Sequence, residues 1–395
     1  MPVDPDLLPF EPAGRRFVAF RPLVRAVGLA ADARQLVLAL AGLVLLSAGW
    51  QGVDRAFGRD ARERGWFDPG ATIRVLDSRP TPRWPDAPWL VTEPARVVVE
   101  PFAALFLRGV RPATWSWALA RGAWALVVWG LVGGAIARIA ALRVTAGQGV
   151  GVGSAARFAA RRALTLIVAP LTPFLVVGLL AAGCAAFGLL YRIPGVGPTV
   201  AGLLGFVPLL AGLLMALILV GLALGWPLMV ATVAVEGEDI ADALSRSYSY
   251  VNQRGVRYLA HLLVAWGLGI VGLVVAVGFG RLVLALADWG VALGAPAEVT
   301  IAPSPVAGSL PLAILLRDFW TEAVGWVPHA YMYSYFWSVV PLIYLVMRRD
   351  VDGTDPHDIY LPEQAADTFA GATPPPVVPE VAPPAEAAAP IEPSA

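Results

Sequence analysis

Two stretches of the chain, residues 164–191 and 203–234, contain no charged residue at all. About 20 consecutive apolar residues cross a bilayer as a helix, so each stretch is long enough to span. A soluble fold would have to bury several such segments against one another. Composition points the same way: of 395 residues, 57% are hydrophobic and only 15% charged, against roughly 25% charged in soluble domains. These observations predict an all-α integral membrane protein.

Candidate spans fall at 35–53, 122–142, 164–187, 206–232, 258–280 and 328–347. The fourth is ambiguous, because apolar sequence runs through 199–235 and would accommodate one span, or a span plus a re-entrant half-helix broken at Pro208. Arginine placement favours six, since basic residues in short loops stay on the cytoplasmic side. Arg15, Arg16, Arg21, Arg25 and Arg34 precede the first span; Arg143, Arg157, Arg161 and Arg162 lie between the second and third; Arg246, Arg254 and Arg257 between the fourth and fifth; Arg348 and Arg349 follow the sixth. The opposite loops hold little beyond Arg192 and Arg317. Both termini are thus expected in the cytoplasm of a cell whose inner membrane holds the chain. Loop 51–113 is arginine-rich yet falls outside, and its length weakens the rule there.

The expected organisation is a cytoplasmic segment at 1–34, a six-span domain at 35–349 including the outer loop 51–113, and a Pro/Ala/Glu-rich tail at 350–395 whose composition cannot build a core. The first apolar run reads as a retained anchor, because acidic residues and some 35 positions precede it. Segment 93–111 reads as an outer interfacial helix interrupted by Pro101, and 311–327 as a similar one carrying Trp320 and Trp326. Trp115, Trp117, Tyr331, Tyr333, Tyr335 and Trp337 are expected to form an aromatic belt at the interface. Arg138 and Arg281, near span ends, are expected to snorkel to the headgroups. Gly130, Gly133, Gly134, Gly212, Gly221 and Gly225 would allow close helix packing, and Pro227 should kink the fourth span.

Segment 235–258, VEGEDIADALSRSYSYVNQRGVRY, places Ile240, Leu244, Tyr248, Val251 and Gly255 at helical spacing. Acidic residues crowd its start, and Arg254 and Arg257 its end, an order that complements a helix dipole. It predicts an amphipathic helix on the cytoplasmic membrane surface. Segments 153–164 and 21–35 carry a related pattern, each before an outward span. The chain therefore reads either as three repeats of surface helix, outward span and inward span, or as convergent patterning.

Catalytic motifs are missing from the sequence. His261, His329 and His357 are widely separated, with His261 expected at the inner interface and His329 at the outer one. The single cysteine, Cys184, has no disulfide partner. Segment 147–154, GQGVGVGS, lacks the G-K-[ST] ending of a phosphate loop and reads as a flexible connection. No Asp or Glu falls in the central part of any predicted span, which weighs against proton-coupled carriage. Zero net charge and the exclusive use of arginine among 29 basic residues give no sign of nucleic-acid binding; the latter reads as base composition. No catalytic, cofactor-binding or metal-binding residue is assigned, and no cofactor is expected.

The stretch containing Val233, Val235, Glu236, Gly237, Ala243, Leu244, Arg246, Ser247 and Tyr248 resembles a loose set of uncharacterised bacterial multi-span proteins. These are similar to the membrane domain attached to some glycerophosphodiester phosphodiesterases. The turn at 192–198 (RIPGVGP) and the exit at 224–229 (LGWPLM) look like a planctomycete-type branch. The resemblance covers about 140–275 and implies an α-helical membrane domain; the hydrolase domain is absent, so its reaction does not carry over.

The bilayer is the first expected partner, with protein partners contacting the tail or the surface helices; oligomeric state is left open. The favoured function is a membrane scaffold or assembly factor. The alternative is a permease or channel-like transporter of a lipid or apolar solute. An enzyme would have to draw its acid–base groups from Asp54, Asp60, Glu63, Asp68, Asp77 and His329, whose spacing favours no reaction.

Overall fold

The computed structural model describes residues 20–58, 87–106, 112–147, 149–294, 311–355, 357 and 359–360. Among them are ten α-helices and no strand: α1 (Arg21–Ala30), α2 (Ala33–Ala56), α3 (Ala87–Ala103), α4 (Pro112–Thr145), α5 (Val152–Arg161), α6 (Ala163–Gly188), α7 (Val196–Leu203), α8 (Phe206–Glu236), α9 (Ile240–Ala292) and α10 (Pro311–Asp352). Six of these, α2, α4, α6, α8, α9 and α10, are long and apolar enough to cross a membrane. The protein is an all-α, multi-pass membrane bundle. Its N-terminal 19 residues, most of loop 51–113 and the tail beyond Tyr360 lie outside the described residues.

Local chemistry sets the helix ends. Asp32 caps α2 by accepting from the Arg34 amide at 2.9 Å, and Asp239 caps α9 by accepting from the Asp242 amide at 3.0 Å. Gly237 closes α8 in the left-handed conformation, φ 66°, which glycine adopts without strain. The ambiguity at 199–235 resolves into a short α7 followed by one continuous α8, with the break at Leu204 and Gly205 rather than at Pro208. Pro208 sits in the first turn of α8, where its missing N–H has no helical partner to lose. Short helical segments precede four of the spans: α1 before α2, α5 before α6, α7 before α8, and the start of α9 before its own span; α7 has no counterpart in the repeat pattern.

That last segment is not a separate helix. It continues into the fifth span through a joint at Arg254, whose φ −132° and ψ 36° leave the helical region. Nor does it lie free on a surface. Ala243, Ser247 and Tyr250 are buried, and Tyr248 donates to the Ile218 carbonyl at 2.9 Å. Gly221 and Gly225 of α8 make the room: a Cβ on Gly221 would stand 2.3 Å from the Tyr248 ring. Likewise α1 is packed against α9 and α10 with Leu23, Ala26 and Ala30 buried, anchored by Tyr331 donating to the Val27 carbonyl and a Phe20–His261 ring contact.

α10 is the centre of the bundle, and this overturns the α10 part of the predicted aromatic belt, while Trp115 of α4 is exposed. Tyr331, Tyr333, Tyr335 and Trp337 are interior residues; Tyr333 stacks on Trp129 of α4 at 4.4 Å between centroids, and Trp337 meets Trp226 of α8 edge-on at 5.7 Å. Of the most apolar stretch of α10, 94% is buried within the protein, against 6% for α8. Residues 311–327, expected as a separate interfacial helix, are the first part of α10. The outward faces of α6 and α8, with Leu175, Leu179, Leu209, Leu213 and Leu217 exposed, are what hydrocarbon covers.

Arg138 does not snorkel: it is 2% exposed, donates to the Ala234 carbonyl at 2.8 Å, and lies 4.6 Å from the Phe158 ring. Its guanidinium completes carbonyls at the end of α8, where a cation also complements the helix dipole. The predicted outer interfacial helix is α3, which enters the bundle. Val97, Val98 and Phe102 are buried, and α3 packs against α4, α9 and α10 despite Pro94 and Pro101 within it. Gly122 lets α4 approach, since a Cβ there would meet the Phe102 ring at 2.8 Å.

Candidate functional site

α3 carries a carboxylate into the bundle. Glu93 is 5% exposed, and Tyr333 donates to its Oε1 at 3.2 Å. His329, one turn before Tyr333 on the same face of α10, places Nε2 3.7 Å from Glu93 Oε2. That gap is just beyond a hydrogen bond. Among the described residues neither ring nitrogen of His329 has a hydrogen-bond partner, and the buried indole nitrogens of Trp129 and Trp337 have none either. Burial pushes the Glu93 carboxyl up to about 7, against the opposing pull of the Tyr333 hydrogen bond and the Arg96 charge; Glu100 adds to the rise. Arg96 itself pairs with Glu100 at 2.8 Å, four residues on.

A second polar group joins α2 to α10. Gln35 Oε1 accepts from Ser338 at 2.7 Å, while Ser334 Oγ lies 2.9 Å from the Ala30 carbonyl. Gln35 Nε2 has no hydrogen-bond partner among the described residues. These groups hold the α1–α2 corner against the centre of α10.

The far end of α10 is tied to α8 and α9 through Glu236. Its carboxylate accepts from Tyr344 at 2.6 Å, meets Arg246 at 2.6 Å, and lies 2.9 Å from Arg348 Nε. Arg257 pairs with Asp350 at 2.5 Å and Tyr250 with Asp352. The Glu-Gly pair and the Ala-Leu-x-Arg-Ser stretch thereby acquire physical roles: Gly237 ends α8, Glu236 and Arg246 clamp the turn, and Ala243 and Ser247 pack inward.

Of the acidic residues considered for outer-side chemistry, Asp54 lies among the described residues, and it serves a helix–helix joint. Asp54 accepts from Trp117 Nε1 at 2.8 Å and pairs with Arg121 at 3.2 Å, while Arg121 covers the Trp50 ring at 4.1 Å. This cluster joins α2 to α4. Asp60, Glu63, Asp68 and Asp77 lie outside the described residues. His329 is in the interior with Glu93, apart from His261, whose Nδ1 lies 2.7 Å from the Arg257 carbonyl. Among the described residues no group of three or more His, Cys, Asp or Glu is placed to hold a metal.

Beside α3 is a partly open cavity of about 220 Å³ between α3, α4, α6 and α8. Val98, Phe106, Leu126, Phe174, Leu222 and Trp226 are among its lining residues, all of which are apolar. A space of that size and character admits a hydrocarbon segment but offers nothing to orient a polar solute.

Sequence reading missed Glu93 because Glu93, Arg96, Glu100 and two prolines make 93–101 look too polar for the membrane. The available signal was the apolar set Val91, Val97, Val98 and Phe102 around it, now buried. No protein-family model, curated protein or solved structure matches the chain.

Proposed function

We propose that this protein is a membrane scaffold or assembly factor of the cell's inner membrane, with both termini in the cytoplasm. The observation that carries the reading is how the interior polar groups are used. Gln35 with the α10 serines, Arg138 with the end of α8, and Glu236 with Arg246, Arg348 and Tyr344 all join one helix to another. Polar groups spent on helix–helix joints build a fixed body rather than a polar path. Arginines clustered at 15–34, 143–162, 246–257 and 348–349 support the orientation.

The apolar cavity supports one alternative, a permease of a lipid or apolar solute. Affinity purification from native membranes, with crosslinking and lipid analysis, separates the two. Stable stoichiometric protein partners support the scaffold. A single enriched lipid and no protein partner supports the permease and overturns the scaffold. Thiol labelling of a cysteine replacing Arg246 tests orientation: reaction with an impermeant reagent in intact cells overturns the cytoplasmic assignment.

A further inference from the structure

We propose that Glu93 and His329 form a proton-binding site inside the helix bundle, in which one proton bridges the carboxyl and the imidazole. This inference is independent of the scaffold reading. Three observations converge on it. Tyr333 occupies Glu93 Oε1, so Oε2 is the oxygen directed to the histidine, and Oε2 stands 3.7 Å from Nε2. His329 is 3% exposed and neither of its nitrogens is hydrogen-bonded among the described residues, so an acceptor is buried beside a carboxyl without a donor there. Leaving buried polar atoms unpaired is costly, and an isolated buried carboxylate more so. A proton entering from solvent relieves both at that contact: it binds Oε2 and is donated to Nε2, the imidazole keeping its own N–H on Nδ1, and the pair passes from one negative charge to neutral. Its release restores the carboxylate, which Tyr333 continues to hold.

The surroundings fit a neutral, protonated pair. The ionisable groups facing Glu93 are Arg96 and Glu100 from its own helix and Tyr333 and His329 from α10. Arg96 and Glu100 are paired with each other, so their charges largely offset at Glu93. From α4, Trp129 covers the Tyr333 ring; from α9, Gly269 faces Val91. Neither contributes a charge. Closing the gap to hydrogen-bond length takes a movement of about 1 Å, within reach of a turn about the last Glu93 side-chain bond.

The test uses the full chain in lipid nanodiscs, with two readouts across pH: the infrared band of protonated carboxyls, and the nitrogen resonances of histidine-labelled protein. We expect a carboxyl band that disappears with rising pH, is missing in Glu93→Gln, and shares its midpoint with a change at His329 Nε2. Tyr333→Phe removes a donor to the charged form and should raise that midpoint by about one to two pH units. This milder variant keeps the test decisive where Glu93→Gln does not fold. A carboxyl band unaffected by either substitution overturns the proposal. So does a His329 Nε2 resonance that stays fixed while Glu93 titrates.

Discussion

Replacing Gly133 by alanine drives a methyl group into the indole of Trp337. The added Cβ would stand 2.3 Å from Cε2, 2.5 Å from Cδ2 and 2.7 Å from Cζ2 of that ring. Ordinary carbon contacts lie at about 3.5–4.0 Å, so the indole has to retreat by more than about 1 Å. It has little space for this. Trp337 is fully buried, edge-on to Trp226 at 5.7 Å and to Phe336 at 5.1 Å, with Trp129 at 6.5 Å beyond. Overpacking of this kind costs about 1–3 kcal/mol, and the upper end applies because the neighbour is rigid on several sides. At about 2–4 °C per kcal/mol for a domain of this size, the thermal midpoint in nanodiscs should fall by about 5–10 °C. Gly178→Ala is the matched control: its Cβ would meet nothing within 4 Å, so the helix-propensity gain of up to about 1 kcal/mol is unopposed. Thermal unfolding followed by circular dichroism compares the two. Equal midpoints for Gly133→Ala and Gly178→Ala would refute the packing around Trp337.

Three further outcomes are expected. Burial raises the Glu93 carboxyl from 4.5 to about 7, so the folded state holds that proton more tightly than the unfolded chain; its contribution is full below about 4.5 and is lost as pH rises through about 7. The loss amounts to at most about 3 kcal/mol, and denaturation at several pH values should show it in the wild type and not in Glu93→Gln. Arg138→Leu leaves the Ala234 and Val235 carbonyls without their buried donor and should destabilise by about 2–4 kcal/mol in the same unfolding assay, whereas a headgroup-facing arginine would tolerate it. Arg246→Ala removes one of two cations from the buried Glu236 carboxylate while leaving Arg348 in place; an expected loss of about 1–3 kcal/mol should be partly recovered in Arg246→Lys.

The six spans were readable because a membrane helix advertises itself locally: its apolar length is written in consecutive residues. Their mutual arrangement was not. In lipid the outward face of a helix is as apolar as its inward face, so the direction a side chain takes is not encoded in polarity as it is in water. The first part of α8, without a polar residue, turns out to be exposed while 225–235 is buried, and the Tyr- and Ser-bearing α10 is the central helix. The alternating aromatics at 331–337 therefore resembled an interface belt while filling the core. Arg138 was misplaced for a related reason: its partner, the carbonyl end of α8, is 96 residues away in sequence. The helix within 235–258 was legible from its apolar spacing and the acidic residues crowding its start, both local signals. Its burial against Gly221 and Gly225 was not, since nothing local indicates which neighbour a glycine receives.

The placement of α3 inside the bundle is what brings Glu93 to His329. In a Cys184→Ala background, Val97→Cys puts a single thiol at a fully buried position of α3. Reaction with a water-soluble maleimide in nanodiscs, compared with the same protein in denaturing detergent, measures its access directly. The structure predicts no labelling until the protein is unfolded. Labelling of the folded protein at the denatured rate would place α3 on the surface and remove Glu93 from the interior.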